Sequence, residues 1–220
     1  MNPLHAELVA LVEAAGERGI PLVVIGAFAV RAYLVAPDRR ETRDMDFVVA
    51  EPNLAALRTL LEGRGYRVYE ARPWWHAERG AGSDRRVIDV GVGAVVDMTT
   101  FDRYELDPTE ATAIAEPGAR ALPVPSLEDV LAMKLLAHRD KDILDVTALL
   151  RDAGSRLDIA RFVRRVEDRD AEIPIRRGYL AVVASAESGD LARLWTLRSG
   201  APLPPEVLAK VLERLHTVFA

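Results

Sequence analysis

The 220-residue chain contains no cysteine, which excludes disulfides, thiol catalysis and cysteine-based zinc sites. Histidine is scarce as well. His5, His76, His138 and His216 stand far apart, with no HxxxH or HExxH spacing, so a histidine metal site would need long-range assembly. No apolar run reaches the roughly 18 residues of a membrane-spanning helix. Residues 1–7 lack the basic region and apolar stretch of a secretory signal. These absences lead to the expectation of a cytoplasmic protein with no membrane contact. Lysine is nearly missing too. Lys134, Lys141 and Lys210 are the three lysines among 29 basic residues. The arginine bias suggests a GC-rich genome, in which a lysine is seldom filler.

What is present is an ordinary globular composition, 50% hydrophobic and 29% charged. That excludes disorder across the whole chain and allows one large or two small domains. The net charge of −5 does not fit a general nucleic-acid binder. The charge is uneven: residues 1–125 carry 14 basic and 19 acidic residues, whereas residues 126–220 carry 15 of each.

Periodicity predicts a helix over 2–18, with Leu4, Leu8, Leu11, Val12 and Ala15 at helical spacing. A buried strand at Pro21–Ile25, a break at Gly26 and a helix over 27–34 follow. After a polar loop, Asp44–Val49 reads as a strand and Asn53–Glu62 as a helix with Asn53 as N-cap. Strands are expected at 66–70, 74–78, 86–92 and 95–100, with a further pair around Pro117-Gly118. From Ser126 onward the pattern is helical, with spans near 127–138, 141–153, 158–168, 174–186, 188–198 and 204–218. The change near 125 divides an α/β portion from an all-helical one.

Asp44 and Asp46 alternate with Met45 and Phe47, so both carboxylates leave one face of the strand while the apolar pair faces the core. Two such carboxylates repel unless a cation lies between them, and oxygen ligands favour a hard ion such as Mg²⁺. Upstream, Gly26-Ala27 opens a helix, where backbone amides and the helix start favour an anion. A phosphate-binding turn followed by an acidic strand points to metal-dependent phosphate chemistry. A third carboxylate should stand on a neighbouring strand. Asp89 in Val87-Ile88-Asp89-Val90 and Asp97 in Val95-Val96-Asp97-Met98 both qualify.

Ser126 should cap a helix, with Asp129 answering three residues on. On that helix Lys134 falls within the apolar stripe of Val130, Leu131 and Leu135. Either it snorkels outward or it meets an anionic partner: the acidic strand face, a nucleotide phosphate, or Asp142 and Asp145 one turn apart on the next helix. Arginines 39, 40 and 43 flank the acidic strand and could hold triphosphate or an acceptor backbone. A second group, at 161, 164, 165, 169, 176 and 177, reads either as an RNA-binding face or as a solvated one.

These residues resemble the minimal nucleotidyltransferases of the AbiEii and MenT toxin type, within the DNA polymerase β-like superfamily. That pattern is an apolar strand, Gly-Gly or Gly-Ser, a helix, then Arg-x-Thr-x-Asp-x-Asp. It stands here as Val24-Ile25-Gly26-Ala27 and Arg40-Glu41-Thr42-Arg43-Asp44-Met45-Asp46. A downstream block is also similar: Pro125-Ser126-Leu127-Glu128-Asp129, Lys134, Arg139-Asp140-Lys141-Asp142 and Asp145. The resemblance covers roughly residues 20–150. It implies an α+β nucleotidyltransferase fold, with a mixed or antiparallel sheet flanked by helices in residues 1–125. A helical portion, 126–220, follows and contributes Lys134 and Asp145 to the cleft.

By the same resemblance, Asp44, Asp46 and Asp97 would hold two Mg²⁺ or Mn²⁺ ions, with Asp89 in reserve. Lys134 would join the three acids in catalysis. Gly26, Ala27, Thr42, Arg43, Lys134 and Asp145 would surround the nucleotide. Ala27 departs from the family by lacking a second glycine or a serine hydroxyl. The implied reaction moves a nucleoside monophosphate from a triphosphate to an acceptor hydroxyl. The implied setting is a toxin acting on tRNA 3′ ends beside a cognate antitoxin. An antibiotic- or protein-modifying nucleotidyltransferase, or a non-catalytic nucleotide-binding module of the same fold, stays open.

Overall fold

The alternation at Asp44–Val49 is realised as strand β2, paired antiparallel with β1 (Leu22–Val24) and parallel with β5 (Arg86–Val92). The sheet continues antiparallel through β4 (Trp74–Arg79) to β3 (Arg67–Ala71), giving the order β1-β2-β5-β4-β3. One parallel pair among antiparallel ones makes the sheet mixed, and the fold is α+β as expected. Met45, Phe47, Ile88 and Ala77 are buried on one face. Helix α3 (Leu54–Gly63) covers part of that face, setting Leu57 and Leu61 against Val68, Ala77 and Val90. Asp44, Asp46 and Asp89, half-buried, stand on the other face. Helices α1 (Pro3–Gly16) and α2 (Gly26–Tyr33) flank β1 in the chain. The computed structural model describes residues 3–35, 42–115 and 120–219. Arg40 and Glu41 of the family pattern, the flanking Arg39, and the Pro117-Gly118 turn lie outside the described residues.

Two short strand pairs follow: β6 (Ala94–Val96) with β7 (Arg103–Glu105), and β8 (Thr112–Ala115) with β9 (Ala121–Val124). The strand expected over 95–100 stops at Val96. Asp97 starts the turn between β6 and β7: its N–H donates to the Asp102 carbonyl at 2.9 Å, and its Oδ1 accepts from the backbone N–H groups of Thr99 (2.8 Å) and Thr100 (2.9 Å). Asn53 makes no side-chain cap, because its backbone already belongs to the short 3₁₀ turn Glu51–Asn53.

The rest is helical: α4 (Leu127–Ala137), α5 (Asp140–Ala153), α6 (Ile159–Glu167), α7 (Glu172–Glu187), α8 (Asp190–Ser199) and α9 (Pro205–Phe219). Each boundary lies within two residues of the sequence reading. Ser126 caps α4 as expected, its Oγ accepting from the Asp129 N–H at 3.2 Å. Helix α4 is buried nearly throughout, since it packs on α2 and β7 as well as on α5, α6 and α7. One cluster of buried apolar side chains runs from Leu8 through Met45 and Leu135 to Leu215. No helix among the described residues is long and apolar enough to cross a membrane.

The α4–α7 contact depends on Gly178. A Cβ added there would lie 1.8 Å from the carbonyl oxygen of Leu135, a backbone atom that cannot swing aside. Gly178→Ala is therefore expected to destabilise the fold by about 2 kcal/mol or more, the scale of overpacking a tight interior. A lowered denaturant midpoint would show it, and an unchanged midpoint would contradict this packing.

Candidate active site

The strand register places three side chains in a row: Asp46 on β2 is level with Asp89 on β5, and Asp89 with His76 on β4. Asp44 stands two residues before Asp46 on the same face. Carboxylate oxygens of Asp44, Asp46 and Asp89 all lie within 4.8 Å of one another. Each is oriented by a neighbour. The Thr42 hydroxyl donates to Asp44 Oδ1 at 2.9 Å. His76 Nδ1 is 2.6 Å from Asp89 Oδ1, and the Tyr69 ring stacks on the imidazole. Asp46 faces Gly26, where a Cβ would sit 2.0 Å from Asp46 Oδ2 and where φ is +63°. Glycine is required there on both counts, and the carboxylate rests directly against the backbone that opens α2.

This arrangement is electrostatically unfavourable by itself. Burial pushes the Asp46 carboxyl up to about 6, and the charges of Asp44 and Asp89 add to the effect, while Lys134 and Lys141 offset part of it. A divalent cation would relieve the repulsion. An all-oxygen donor set of this size fits a hard ion of the Mg²⁺ or Mn²⁺ kind.

Opposite the acids, α4 and α5 supply cations. Lys134, with a side chain 9% exposed, lies 3.0 Å from Asp142 and 2.8 Å from Asp145. Arg139 approaches Asp142 at 2.6 Å and Arg198 approaches Asp145 at 2.8 Å. Burial raises the Asp142 carboxyl, but Lys134 and Arg139 outweigh it and hold Asp142 below the usual carboxylate range. Lys134 is thus fixed by the second helix of the pair, at the wall of the pocket that the acids line. That pocket, of about 200 Å³, is also lined by Gly26, Ala27, Asp97, Arg139 and Lys141.

Not every residue singled out in the sequence is brought there. Thr42 and Arg43 line a different surface, with Arg85 and Arg86; Thr42 acts through Asp44 instead. Asp145 is fully buried and holds Lys134 and Arg198 rather than lining the pocket. Asp97 lines the pocket but lies outside the three-carboxylate group, and its Oδ1 is occupied by the turn described above. Asp89, the reserve, is the acid grouped with Asp44 and Asp46. The difference is one of register: Asp89 pairs directly beside Asp46, whereas β6 is not a strand of that sheet. Sequence reasoning missed His76, and it noted Arg139 and Lys141 without giving either a place in the site. The scarcity of lysine was a usable signal for Lys141. His76 gave none, because its partner is set by register.

His76 engages one oxygen of Asp89, a residue that lines the pocket. His76→Ala is expected to weaken Mn²⁺ binding by about 10–100-fold, the usual cost of losing an outer-shell partner. His76→Gln, which can still donate, should recover part of it. Equal Mn²⁺ affinity in wild type and His76→Ala, measured by titration calorimetry, would contradict this role.

Solved structures with a similar chain path include three nucleotidyltransferase-type proteins. One is the lincosamide antibiotic adenylyltransferase LnuA with lincomycin bound, at 16% identity over 57% of this chain and 82% of that one, with a TM-score of 0.43. Another is the antibiotic-resistance factor ANT(2″)-Ia, at 17% identity over 86% and 95%, with a TM-score of 0.44. The third is an antigenic nucleotidyltransferase-like protein from Paracoccidioides brasiliensis, at 15% identity over 88% and 92%, with a TM-score of 0.42. No curated protein matches the chain. A family model described as uncharacterised nucleotidyltransferase matches residues 2–183, and the chain belongs to that family, an enzyme family that transfers nucleotidyl groups from nucleoside triphosphates.

Proposed function

We propose that this pocket catalyses transfer of a nucleoside monophosphate from a nucleoside triphosphate to the hydroxyl of a small molecule. The observation that carries the reading is the group of three carboxylates, within 4.8 Å of one another, set against the glycine that opens α2. Asp44 and Asp46 would hold the cations together, and Asp89 would complete the set. The chemistry that two such cations supply is activation of the hydroxyl and neutralisation of charge on the leaving pyrophosphate. The chain's own groups do the rest. The amides at Gly26 and Ala27 receive phosphate oxygens at the start of a helix. Lys134, Arg139 and Lys141 face the triphosphate charge. The acceptor oxygen forms a bond to the α-phosphorus, the bond from that phosphorus to the bridging oxygen breaks, and pyrophosphate departs. The hydroxyl proton passes to Asp89 Oδ2, the oxygen that His76 does not occupy.

A tRNA acceptor has less support. Of the second arginine group, Arg165 pairs with Asp129 and Arg177 with Asp102, each at 2.8 Å, which draws these two out of an RNA face. The test is incubation with each α-labelled nucleoside triphosphate and Mg²⁺, offered in turn total tRNA and a small-molecule extract. Label in the small-molecule fraction supports the proposal. Label confined to tRNA moves the acceptor to RNA, and no label in any fraction overturns the reading.

A further inference from the structure

We infer that the pocket wall formed by Trp74, Val95, Val96 and Met98 is the acceptor subsite, and that the acceptor is a hydroxyl compound without negative charge that carries an apolar ring or alkyl face. This rests on the function proposed above and adds the class of molecule that receives the nucleotide.

The sheet order supplies a direction. Across one face, Gly26 is followed by Asp46, Asp89 and His76. In-line displacement puts the attacking and leaving oxygens on opposite sides of the phosphorus. A triphosphate anchored at the Gly26 end therefore leaves the acceptor to enter from the Asp89 and β4 end. What stands there is apolar. Trp74 shares the face of His76, two residues away, and Val95, Val96 and Met98 line the same pocket. A polyphosphate gains nothing from such a wall. An anionic acceptor would meet Asp89 and Asp97.

The wall is also built rather than incidental. The Trp74 indole N–H donates to the Val96 carbonyl at 3.2 Å, tying β4 to β6. Gly91 permits the approach: a Cβ there would lie 2.2 Å from the Ala94 oxygen and 3.2 Å from the Trp74 ring. Beyond Val96, the Asp97 turn holds Met98 at the rim with its side chain 52% exposed. Phe101, whose N–H donates to the Asp97 carbonyl at 2.9 Å, has φ +60°, an uncommon backbone state for a bulky side chain. Asp102 is then clamped to Arg177 of α7 at 2.8 Å. Asp97 is accordingly a positioning residue for the acceptor wall.

The test uses n-hexyl β-D-glucoside and methyl β-D-glucoside as probes, with Mg²⁺ and α,β-methylene-ATP, read by saturation-transfer NMR. The hexyl compound is expected to bind about tenfold more tightly than the methyl one, because it buries added methylenes. Met98→Lys, at an exposed position that spares the fold, should reduce hexyl binding to the methyl level while α,β-methylene-ATP still binds; Trp74→Ala should do the same. Equal binding of the two glucosides overturns the inference, as does hexyl binding that survives Met98→Lys. Displacement of the hexyl glucoside by α,β-methylene-ATP also overturns it, since the wall would then hold the nucleobase. If neither α,β-methylene-ATP nor any other nucleoside triphosphate binds wild type, the proposed function fails, and the glucoside comparison still reports on the wall.

Discussion

Asp46→Asn is expected to abolish nucleotidyl transfer while making the metal-free protein more stable. The loss of activity should be on the order of 10³-fold or more, because a pre-organised electrostatic group at the reacting phosphate is removed. The gain in stability follows from the sign of the Asp46 shift. Burial and the two neighbouring carboxylates raise this carboxyl from 3.8 to about 6 in the folded protein. The folded state therefore holds the proton more tightly than the unfolded chain does. Between about pH 4 and pH 6 the wild type loses stability as pH rises, and above pH 6 it carries the whole penalty. Asparagine has no charge to bury. Its advantage should be absent near pH 4 and reach about 1–2 kcal/mol above pH 6, with the partly solvated carboxylate discounted from the full shift. Thermal melts at pH 4 and pH 7.5 without divalent metal provide the check. A variant less stable than wild type at pH 7.5 would contradict the strained acidic cluster.

Lys134→Met is expected to be the most destabilising change at the site. Asp142 and Asp145 are both fully buried, and the Lys134 ammonium lies within 3.0 Å of each. Methionine matches the lysine stem but leaves two buried carboxylates short of a cation. Breaking a buried pair in this way costs about 3–5 kcal/mol. The lower end applies here, because Arg139 still faces Asp142 and Arg198 still faces Asp145. Adding Asp145→Asn to Lys134→Met should recover part of the loss, since the two residues are coupled. Denaturant unfolding of the single and double variants measures it. Additive losses would show that Lys134 is not the charge partner of Asp145.

Much of this architecture was legible in the sequence because it rests on local rules. The alternation of Asp44, Met45, Asp46 and Phe47 states which face is wet, and β2 has the predicted bounds. The six C-terminal helices follow from apolar periodicity alone. Lys134 was visible as a charge within an apolar stripe, and the structure gives it the acidic partners that burial demands. What stayed hidden depends on register between distant strands. Asp89 and Asp97 look alike in sequence, each an acid among valines and other apolar residues. The pairing of β2 with β5 sets Asp89 beside Asp46, whereas Asp97 starts the turn of the separate β6–β7 pair. His76 was invisible for the same reason, since only the β4–β5 register brings it to Asp89. Thr42 belongs to the family pattern, and its hydrogen bond to Asp44 is a detail that the pattern does not state.

The central claim is that Asp44, Asp46 and Asp89 share divalent cations with a bound triphosphate. Titration of Mn²⁺ in the presence of α,β-methylene-ATP, followed by electron paramagnetic resonance, tests it most directly in four variants: Asp44→Asn, Asp46→Asn, Asp89→Asn and Asp97→Asn. Each of the first three is expected to weaken Mn²⁺ binding by about tenfold or more. Asp97→Asn, which keeps the oxygen that accepts the turn's hydrogen bonds, should leave binding unchanged. Mn²⁺ held normally by Asp89→Asn but lost in Asp97→Asn would contradict the account.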